Sequence, residues 1–368
     1  MRRPAILTFG VLFPAIGIVF YGLTLALDLG HASPLSGPGL AFLLLLVAIT
    51  FGAVFATVHH AEAIAHRIGE PFGTLVLTLS VTAIEAALIL SLMLGGTGGD
   101  ALARDTVFSV IMIVCNGLVG ICILTGGLRH REQEFLVPGA NSYLGVIVTL
   151  TALTLILPNY TTTVPGPMFS DRQLGFVCVV TLVLYGVFLY IQTVRHTEYF
   201  AAGSGDAYAS DLAPAAGAGS LAGSAVLLLV SLAVVIVLAK KFGVGIGEVL
   251  DHAGAPKAVS GLIVALIVLL PESLAALQAA HRDDLQKSIN LALGSSLATI
   301  GLTIPTVAVA ALALDKTLVL GLAPKETLLL ATTMIVSVLT FGTGRTHVLP
   351  GLVHLVIFAA FVFLTFEP

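Results

Sequence analysis

The fold of this chain is decided by two stretches, PFGTLVLTLSVTAIEAALILSLMLG at residues 71–95 and AVSGLIVALIVLLPESLAALQAA at residues 258–280. Each is an apolar run of spanning length, because a membrane helix needs about 20 residues. Each also carries one acidic residue well inside the run, Glu85 in the first and Glu272 in the second. A charged side chain at the centre of a bilayer costs about 2.5–3.5 kcal/mol on insertion scales. Two such residues predict an ion or proton site within the membrane.

The rest of the chain is equally apolar. Of its 368 residues, 57% are hydrophobic and 10% are charged, whereas soluble domains carry roughly 25% charged residues. The mean hydropathy is +1.07. Helices are predicted because hydrocarbon offers the backbone no partner outside its own segment, and barrel strands would alternate with period two. Eleven runs of spanning length are predicted, at about 5–27, 38–58, 71–95, 106–128, 142–158, 174–194, 222–239, 258–280, 287–314, 326–342 and 347–366.

These runs divide the chain into four segments. They are a first membrane helix and loop (1–37), a five-helix half (38–194), a linker rich in Gly, Ala and Ser (195–221) and a second five-helix half (222–368). Halves with an odd number of helices must insert in opposite orientations, as in inverted-repeat transporters. The fold class predicted is therefore all-α and polytopic. Because early helices usually dominate, the Lys and Arg residues of the first half predict a cytoplasmic N-terminus and linker.

The surroundings of the two glutamates repeat between the halves. Each glutamate is preceded by a glycine, Gly73 or Gly261, predicted as a hinge, and is followed one helix later by a polar, glycine-containing stretch. Pro271 directly before Glu272 has no N–H and should free a backbone carbonyl one turn back. The supporting ligands expected near the two carboxylates are Thr82, Asn116, Ser295, Ser296 and Thr299.

Oxygen ligands of this kind suit Ca²⁺, which takes 6–8 of them, and the same pocket could admit Na⁺. Apart from Cys115, no Cys or His is expected at this depth of the predicted membrane spans. This argues against Zn²⁺ or Cu⁺ as the main substrate. Burial favours the protonated carboxyl and a divalent cation favours the anion, so metal and proton should compete for one site. That competition predicts exchange of Ca²⁺ for H⁺.

Several alternatives stay open at this point. The glutamates could both remain protonated and bond a neighbouring helix, although no Lys or Arg lies at similar depth to form an ion pair. The protein could be a monovalent Na⁺ or K⁺ antiporter, an intramembrane hydrolase with two acids, or a channel. The expected partners are the transported ions and lipid, with no resident cofactor and with a homo-oligomer left open. Nucleic acid is not expected, since the formal charge is −4 and the basic residues are scattered.

Two polar groups lie outside this predicted site. His354, near the start of the last run, is interpreted as a satisfied histidine at the membrane interface. His281-Arg282-Asp283-Asp284 is interpreted as a polar turn, with a cation-attracting mouth as the alternative. Neither group is needed for the two-carboxylate site.

The motifs resemble those of a known family. ILTGGLRHREQEF (123–135) and LGSSLATIGLTIPTVAV (293–309) are similar to parts of the two signature repeats of CAX-type calcium/proton exchangers, in the calcium/cation antiporter superfamily. This resemblance covers nearly the whole chain from about residue 50. It implies an extra first helix followed by two inverted five-helix repeats, and exchange of Ca²⁺ for H⁺, with Na⁺ or K⁺ also exchanged in some members.

The resemblance also assigns residues. It implies that Glu85 and Glu272 are the ion-binding glutamates of the two repeats, and that Asn116 is the polar residue of the glycine-rich helix. The family usually has Gly-Asn-Ala-x-Glu at each glutamate, whereas this chain has SVTAIE at 80–85 and LLPE at 269–272. Selectivity for Ca²⁺ over Na⁺ is therefore left open. The expected location is the bacterial inner (plasma) membrane.

Overall fold

The computed structural model describes residues 3–27, 36–68, 72–94, 99–200 and 221–368. Most of the predicted linker lies outside these ranges. Nearly all of the described chain is helical, as its apolar composition requires, because a helix satisfies each backbone amide within its own segment.

Thirteen α-helices occur in the described residues. Two pairs of neighbouring helices are separated only by a π turn, so that the thirteen form eleven continuous helical rods. Their bounds are α1 Arg3–Ala26, α2 Gly37–Ile68, α3 Phe72–Leu94, α4 Leu102–Met112, α5 Val119–His130, α6 Val137–Thr151, α7 Asp171–Tyr190, α8 Leu221–His252, α9 Ala258–His281, α10 Leu285–Ala298, α11 Ile304–Ala313, α12 Pro324–Phe341 and α13 Val348–Phe366.

Wider π turns occur in four of these rods. Those that matter for the site are Ile113–Leu118 between α4 and α5, and Thr299–Thr303 between α10 and α11. The others, Ala152–Ile156 and Ile191–Arg195, follow α6 and α7. Such π turns appear frequently at functional sites.

The eleven rods account for the eleven predicted runs. Within the described residues, ten rods are long and apolar enough to cross a membrane, and α3 contributes a shorter apolar stretch, Thr78–Met93. The helices α2 and α8 continue beyond the predicted runs, to Ile68 and His252. They do so because a polar residue ends an apolar run without ending the helical hydrogen bonding.

Two compact units make up the chain. One comprises Met1–Gly99 with Ser204–Ala255, and the other Asp100–Gly203 with Pro256–Pro368. In the first unit, α2 packs against α1, α3 and α8. In the second unit, α9 packs against α4 and α10, and α13 packs against α5.

Glycines allow close helix contacts in the second unit. A Cβ on Gly351 of α13 would lie 2.9 Å from the Gly120 carbonyl oxygen and 2.9 Å from the Leu124 amide nitrogen of α5. A Cβ on Gly120 would likewise lie 3.0 Å from the Gly351 carbonyl oxygen. The two backbones are therefore in direct contact, as is common where small residues mediate packing of membrane helices.

A short two-stranded sheet was not foreseen from the sequence. Strand β1, Gln133–Glu134, pairs antiparallel with strand β2, Arg345–Thr346. Arg345 adds an ion pair to Glu134 at 3.1 Å. The sheet links the α5–α6 connection to the α12–α13 connection.

The first residues of the predicted linker are packed against the second unit. A 3₁₀ turn covers Thr197–Tyr199, and the Phe200 ring lies 5.4 Å from that of Tyr143. Asn290 donates a hydrogen bond to the Phe200 carbonyl oxygen at 2.7 Å. Residues 201–220 of the linker lie outside the described residues.

Candidate cation site

Glu272 lies in the second half of α9, where its side chain is half-buried. Its Oε2 accepts a hydrogen bond from the Ser295 hydroxyl of α10. The structure thus brings together two of the predicted site residues, one from each of two neighbouring helices.

The backbone of α9 is positioned by two residues that the sequence analysis had selected. A Cβ on Gly261 would lie 2.7 Å from the carbonyl carbon of Asp105, so this glycine permits close packing of α9 on α4. Pro271 stands inside the helix, which continues through it. Because proline has no N–H, the carbonyl of Ile267 is left without its helical donor. The hinge role of Gly261 stays a prediction.

Besides Ser295, the rod that begins with α10 carries two more of the predicted ligands, Ser296 and Thr299. Ser295 is half-buried, while Ser296 and Thr299 are 0% and 3% exposed. Thr299 begins the π turn between α10 and α11. The Cys115 thiol, from the π turn Ile113–Leu118, lies against the Ser296 hydroxyl. Both π turns of the polar, glycine-containing helices therefore lie close to the predicted ligands.

Glu85 belongs to the other compact unit. It lies in α3 with only 2% of its surface exposed. Thr82, one turn earlier on the same face of the helix, is 6% exposed. Gly73 stands in the first turn of α3. The described part of α3 thus holds a buried carboxyl and a buried hydroxyl side by side within an apolar helix.

Asn116 is fully buried, and besides a contact with Met112 Sδ at 3.7 Å it makes hydrogen bonds to the last two helices. Its Nδ2 donates to Thr333 Oγ1 of α12 at 2.9 Å, and its Oδ1 lies 3.2 Å from His354 Nδ1 of α13. The other ring nitrogen of His354, Nε2, lies 3.0 Å from Thr340 Oγ1. His354 is satisfied, as predicted, but it is 0% exposed and lies inside the bundle.

Sequence reasoning missed Thr333 and Thr340 altogether. They are seven residues apart and therefore share one face of α12. Both are buried polar residues, and Ser337 between them is buried as well. That spacing, together with a histidine in the next run, was the one available signal for this cluster.

The chemistry of the two carboxyl-bearing helices suits hard cations. Carboxylate, hydroxyl and backbone carbonyl oxygens bind alkali and alkaline-earth ions, whereas thiolate and imidazole favour zinc and copper. Glu272 with Ser295, and Glu85 with Thr82, each offer such oxygen atoms. A proton can occupy the same carboxyl groups, so both kinds of cation can compete for them.

The predicted turn after α9 is confirmed as a polar turn. Asp284 caps α10, because its carboxylate accepts a hydrogen bond from the Lys287 amide at 3.0 Å. Asp283 adopts a positive φ of 66° and accepts a hydrogen bond from Gln133 at 2.9 Å. The turn therefore joins α9 and α10 to the start of the small sheet.

Comparison with known families gives a match over most of the chain. The model of the sodium/calcium exchanger protein family matches residues 38–194 and 223–367. A protein of Sinorhizobium fredii named "Putative ionic transporter y4hA" is 44% identical over 97% of this chain and 95% of its own length. The sodium-potassium/proton antiporter ChaA of Escherichia coli is 38% identical over 88% of each chain.

Solved structures give the same fold. The crystal structure of an H⁺/Ca²⁺ exchanger, CAX, superimposes with a TM-score of 0.71 at 16% identity, covering 97% of this chain and 88% of that one. At this identity the likeness concerns the fold alone. It confirms the predicted fold class, an all-α polytopic membrane protein with one extra helix and two inverted five-helix repeats.

Proposed function

This chain belongs to the sodium/calcium exchanger protein family, and from that premise we propose that it exchanges Ca²⁺ for H⁺ across the membrane. It is an integral membrane protein and a cation antiporter. We propose that it works as a secondary transporter and not as an enzyme. We assign the binding of cation or protons in turn to Glu85 and Glu272. Alternating access then exposes the site first to one side of the membrane and then to the other.

The observation that carries this proposal is the Glu272 carboxyl held by the Ser295 hydroxyl within apolar helices. An acidic residue at this depth raises the free energy of membrane insertion, and an apolar replacement would insert more easily. Its presence therefore indicates a function. Glu85, 2% exposed in α3, poses the same cost in the other unit. Two costly carboxyl groups are thus retained, one in each predicted half.

Charge balance favours a divalent cation as the first candidate. Two carboxylates neutralise one Ca²⁺, and two protons neutralise the same two carboxylates. The loaded site is therefore neutral on both legs of the cycle. This matters because crossing the membrane with unbalanced charge would carry the electrostatic cost that buried ions bear in hydrocarbon.

A second candidate is exchange of Na⁺ or K⁺ for H⁺. It is favoured by the 38% identity to a protein named as a sodium-potassium/proton antiporter. The sequences before the two glutamates, SVTAI and LLP, also contain neither Asn nor Gln. They therefore add no side-chain amide oxygen to the large coordination shell that Ca²⁺ prefers. A smaller set of weaker oxygen ligands is enough for a monovalent ion.

The remaining parts of the proposal concern placement and partners. We assign the protein to the bacterial inner membrane with the N-terminus and the linker in the cytoplasm. The partners are the transported ions and lipid. The transported cations are substrates, and the proposal includes no resident cofactor.

The test uses purified protein in liposomes that contain a pH-sensitive dye and carry an imposed pH gradient. Ca²⁺, Na⁺ and K⁺ are added separately to the wild type, Glu85→Gln and Glu272→Gln. Glutamine keeps the size and polarity of glutamate but cannot ionise. Glu248→Gln is the matched control, because Glu248 is an exposed glutamate of α8.

The expected result is Ca²⁺-driven proton movement in the wild type and the Glu248 control, and background signal in both site variants. A response to Na⁺ or K⁺ alone would select the second candidate. Wild-type exchange in either site variant would show that the two-carboxylate mechanism is wrong.

A further inference from the structure

A chain of buried polar side chains connects the π turn Ile113–Leu118 to α12 and α13. Its members are Thr333, Asn116, His354 and Thr340, which are 0%, 0%, 0% and 7% exposed. Successive polar atoms lie 2.9, 3.2 and 3.0 Å apart. The proposed exchange does not use this chain directly, but a buried polar network whose members are all satisfied makes its surroundings rigid.

The direction of each hydrogen bond follows from its first member. The Thr333 hydroxyl donates to the Leu329 carbonyl oxygen at 2.8 Å, and Met112 Sδ, at 3.5 Å, is the other acceptor within reach. In either case the Thr333 oxygen accepts from the Asn116 amide nitrogen. The Asn116 oxygen therefore faces His354, so His354 Nδ1 carries the hydrogen.

The second ring nitrogen follows from the first. In a neutral imidazole only one nitrogen carries hydrogen, so His354 Nε2 accepts and the Thr340 hydroxyl donates to it. The whole chain thus points one way, from Thr340 through His354 and Asn116 to Thr333. A neutral His354 therefore satisfies Asn116 and Thr340, and its ring also lies within hydrogen-bonding reach of the Cys115 backbone carbonyl.

The packing around His354 is tight. A Cβ on Gly117 would lie 3.2 Å from the Phe358 ring, and one on Gly120 would lie 2.9 Å from the Leu355 side chain. The π turn and the start of α5 therefore pack closely on α13 next to the Asn116–His354 bond.

The opposite side of the same π turn faces the cation-site helices. It packs against α9, which carries Glu272, and against α10, which carries Ser295. Cys115, the residue before Asn116, lies against Ser296. A displacement of Asn116 would therefore be transmitted to the helices that hold the proposed ligands.

We propose that His354 is a positioning residue for the cation site. As a neutral ring protonated at Nδ1, it fixes the Asn116 carboxamide and holds the π turn against α9 and α10. It does not carry the transported proton. This inference rests on the proposed function, because it concerns the geometry of the same site.

The test compares two amide replacements of the histidine in the liposome assay. His354→Asn places its amide near the position of Nδ1 and can still donate to Asn116. His354→Gln places its amide near Nε2 and leaves the Asn116 oxygen without this donor. We expect the KM for the cation to rise about tenfold in the glutamine variant, as for one lost buried hydrogen bond, with a smaller change in the maximal rate.

The asparagine variant should retain the KM within about threefold and keep the wild-type dependence of exchange on pH. Thr333→Val removes the acceptor of the Asn116 amide and should raise the KM by a similar factor. Thr332→Val is its matched control, because the exposed Thr332 hydroxyl bonds only its own helix, to the Leu328 carbonyl at 2.9 Å. Monodispersity and thermal unfolding in detergent establish that each variant is folded.

Two results would overturn the inference. One is a folded asparagine variant that loses exchange or its pH dependence, which would make the ring itself a proton carrier. The other is a wild-type KM in both His354→Gln and Thr333→Val. Should the glutamine variant fail to fold, Thr333→Val decides the matter. An inactive wild-type protein would instead refute the proposed function, so the two failures are distinguishable.

Discussion

Replacing Ser295 by alanine tests the contact that carries the proposed function. In the structure, the Ser295 hydroxyl donates a hydrogen bond to the Glu272 carboxyl. Alanine removes the donor and leaves the helix α10 intact, because alanine is the strongest helix former. The carboxylate then loses one stabilising partner, and its protonated form gains relative to the cation-bound form.

The size of the effect follows from the type of bond. Hydrogen bonds to charged groups contribute about 1.5–3 kcal/mol, and both Ser295 and Glu272 are half-buried. We therefore take the lower end of that range. Because a tenfold change in affinity corresponds to about 1.4 kcal/mol, the KM for the cation should rise about tenfold.

The measurement is the initial rate of cation-driven proton movement in liposomes, as a function of cation concentration at two values of pH. The rise in KM should be larger at the lower pH, because the proton competes for the same carboxyl. Ser142→Ala is the control, since that exposed hydroxyl bonds only its own helix, to the Pro138 carbonyl at 2.7 Å. A KM within twofold of wild type at both pH values would refute the reasoning.

Two further predictions concern the backbone of α9. Gly261→Ala should lower the free energy of unfolding in detergent by about 1–3 kcal/mol, the cost of overpacking. The reason is that the new Cβ would lie 2.7 Å from a backbone atom of α4. The control Gly175→Ala, with no heavy atom within 4 Å, should leave stability unchanged or raise it, and equal losses in both would contradict the packing argument. Pro271→Ala should restore the helical bond to the Ile267 carbonyl. If that carbonyl is a ligand, stability rises while the KM for the cation rises severalfold, and an unchanged KM would exclude it.

The membrane helices could be predicted from the sequence because their ends are marked by chemistry. The predicted run 258–280 matches α9, Ala258–His281, to within one residue. Here a lysine and a proline precede the helix and charged residues follow it. Where the chain stays compatible with a helix after the apolar run ends, the prediction is too short. The helix α8 therefore extends through Lys240 and Lys241 to His252.

The depth of the candidate site residues could also be predicted, but their partners could not. Asn116 was expected to support the carboxylates, and its hydrogen bonds instead go to Thr333 and His354. These residues lie 217 and 238 positions away in the chain. A single sequence contains no record of such contacts. The π turn that orients Asn116 depends on tertiary packing and leaves the apolar pattern unchanged.

The small sheet has a consequence for biosynthesis. Strand β1 at Gln133–Glu134 finds its partner only at Arg345–Thr346, about 210 residues later in the chain. At about 5–20 residues per second of synthesis, the first strand waits roughly 10–40 s for the second. During that time its backbone groups have no strand partner, and the α5–α6 connection lacks this anchor. A chain that stalls before β2 would therefore keep β1 as an unpaired strand edge.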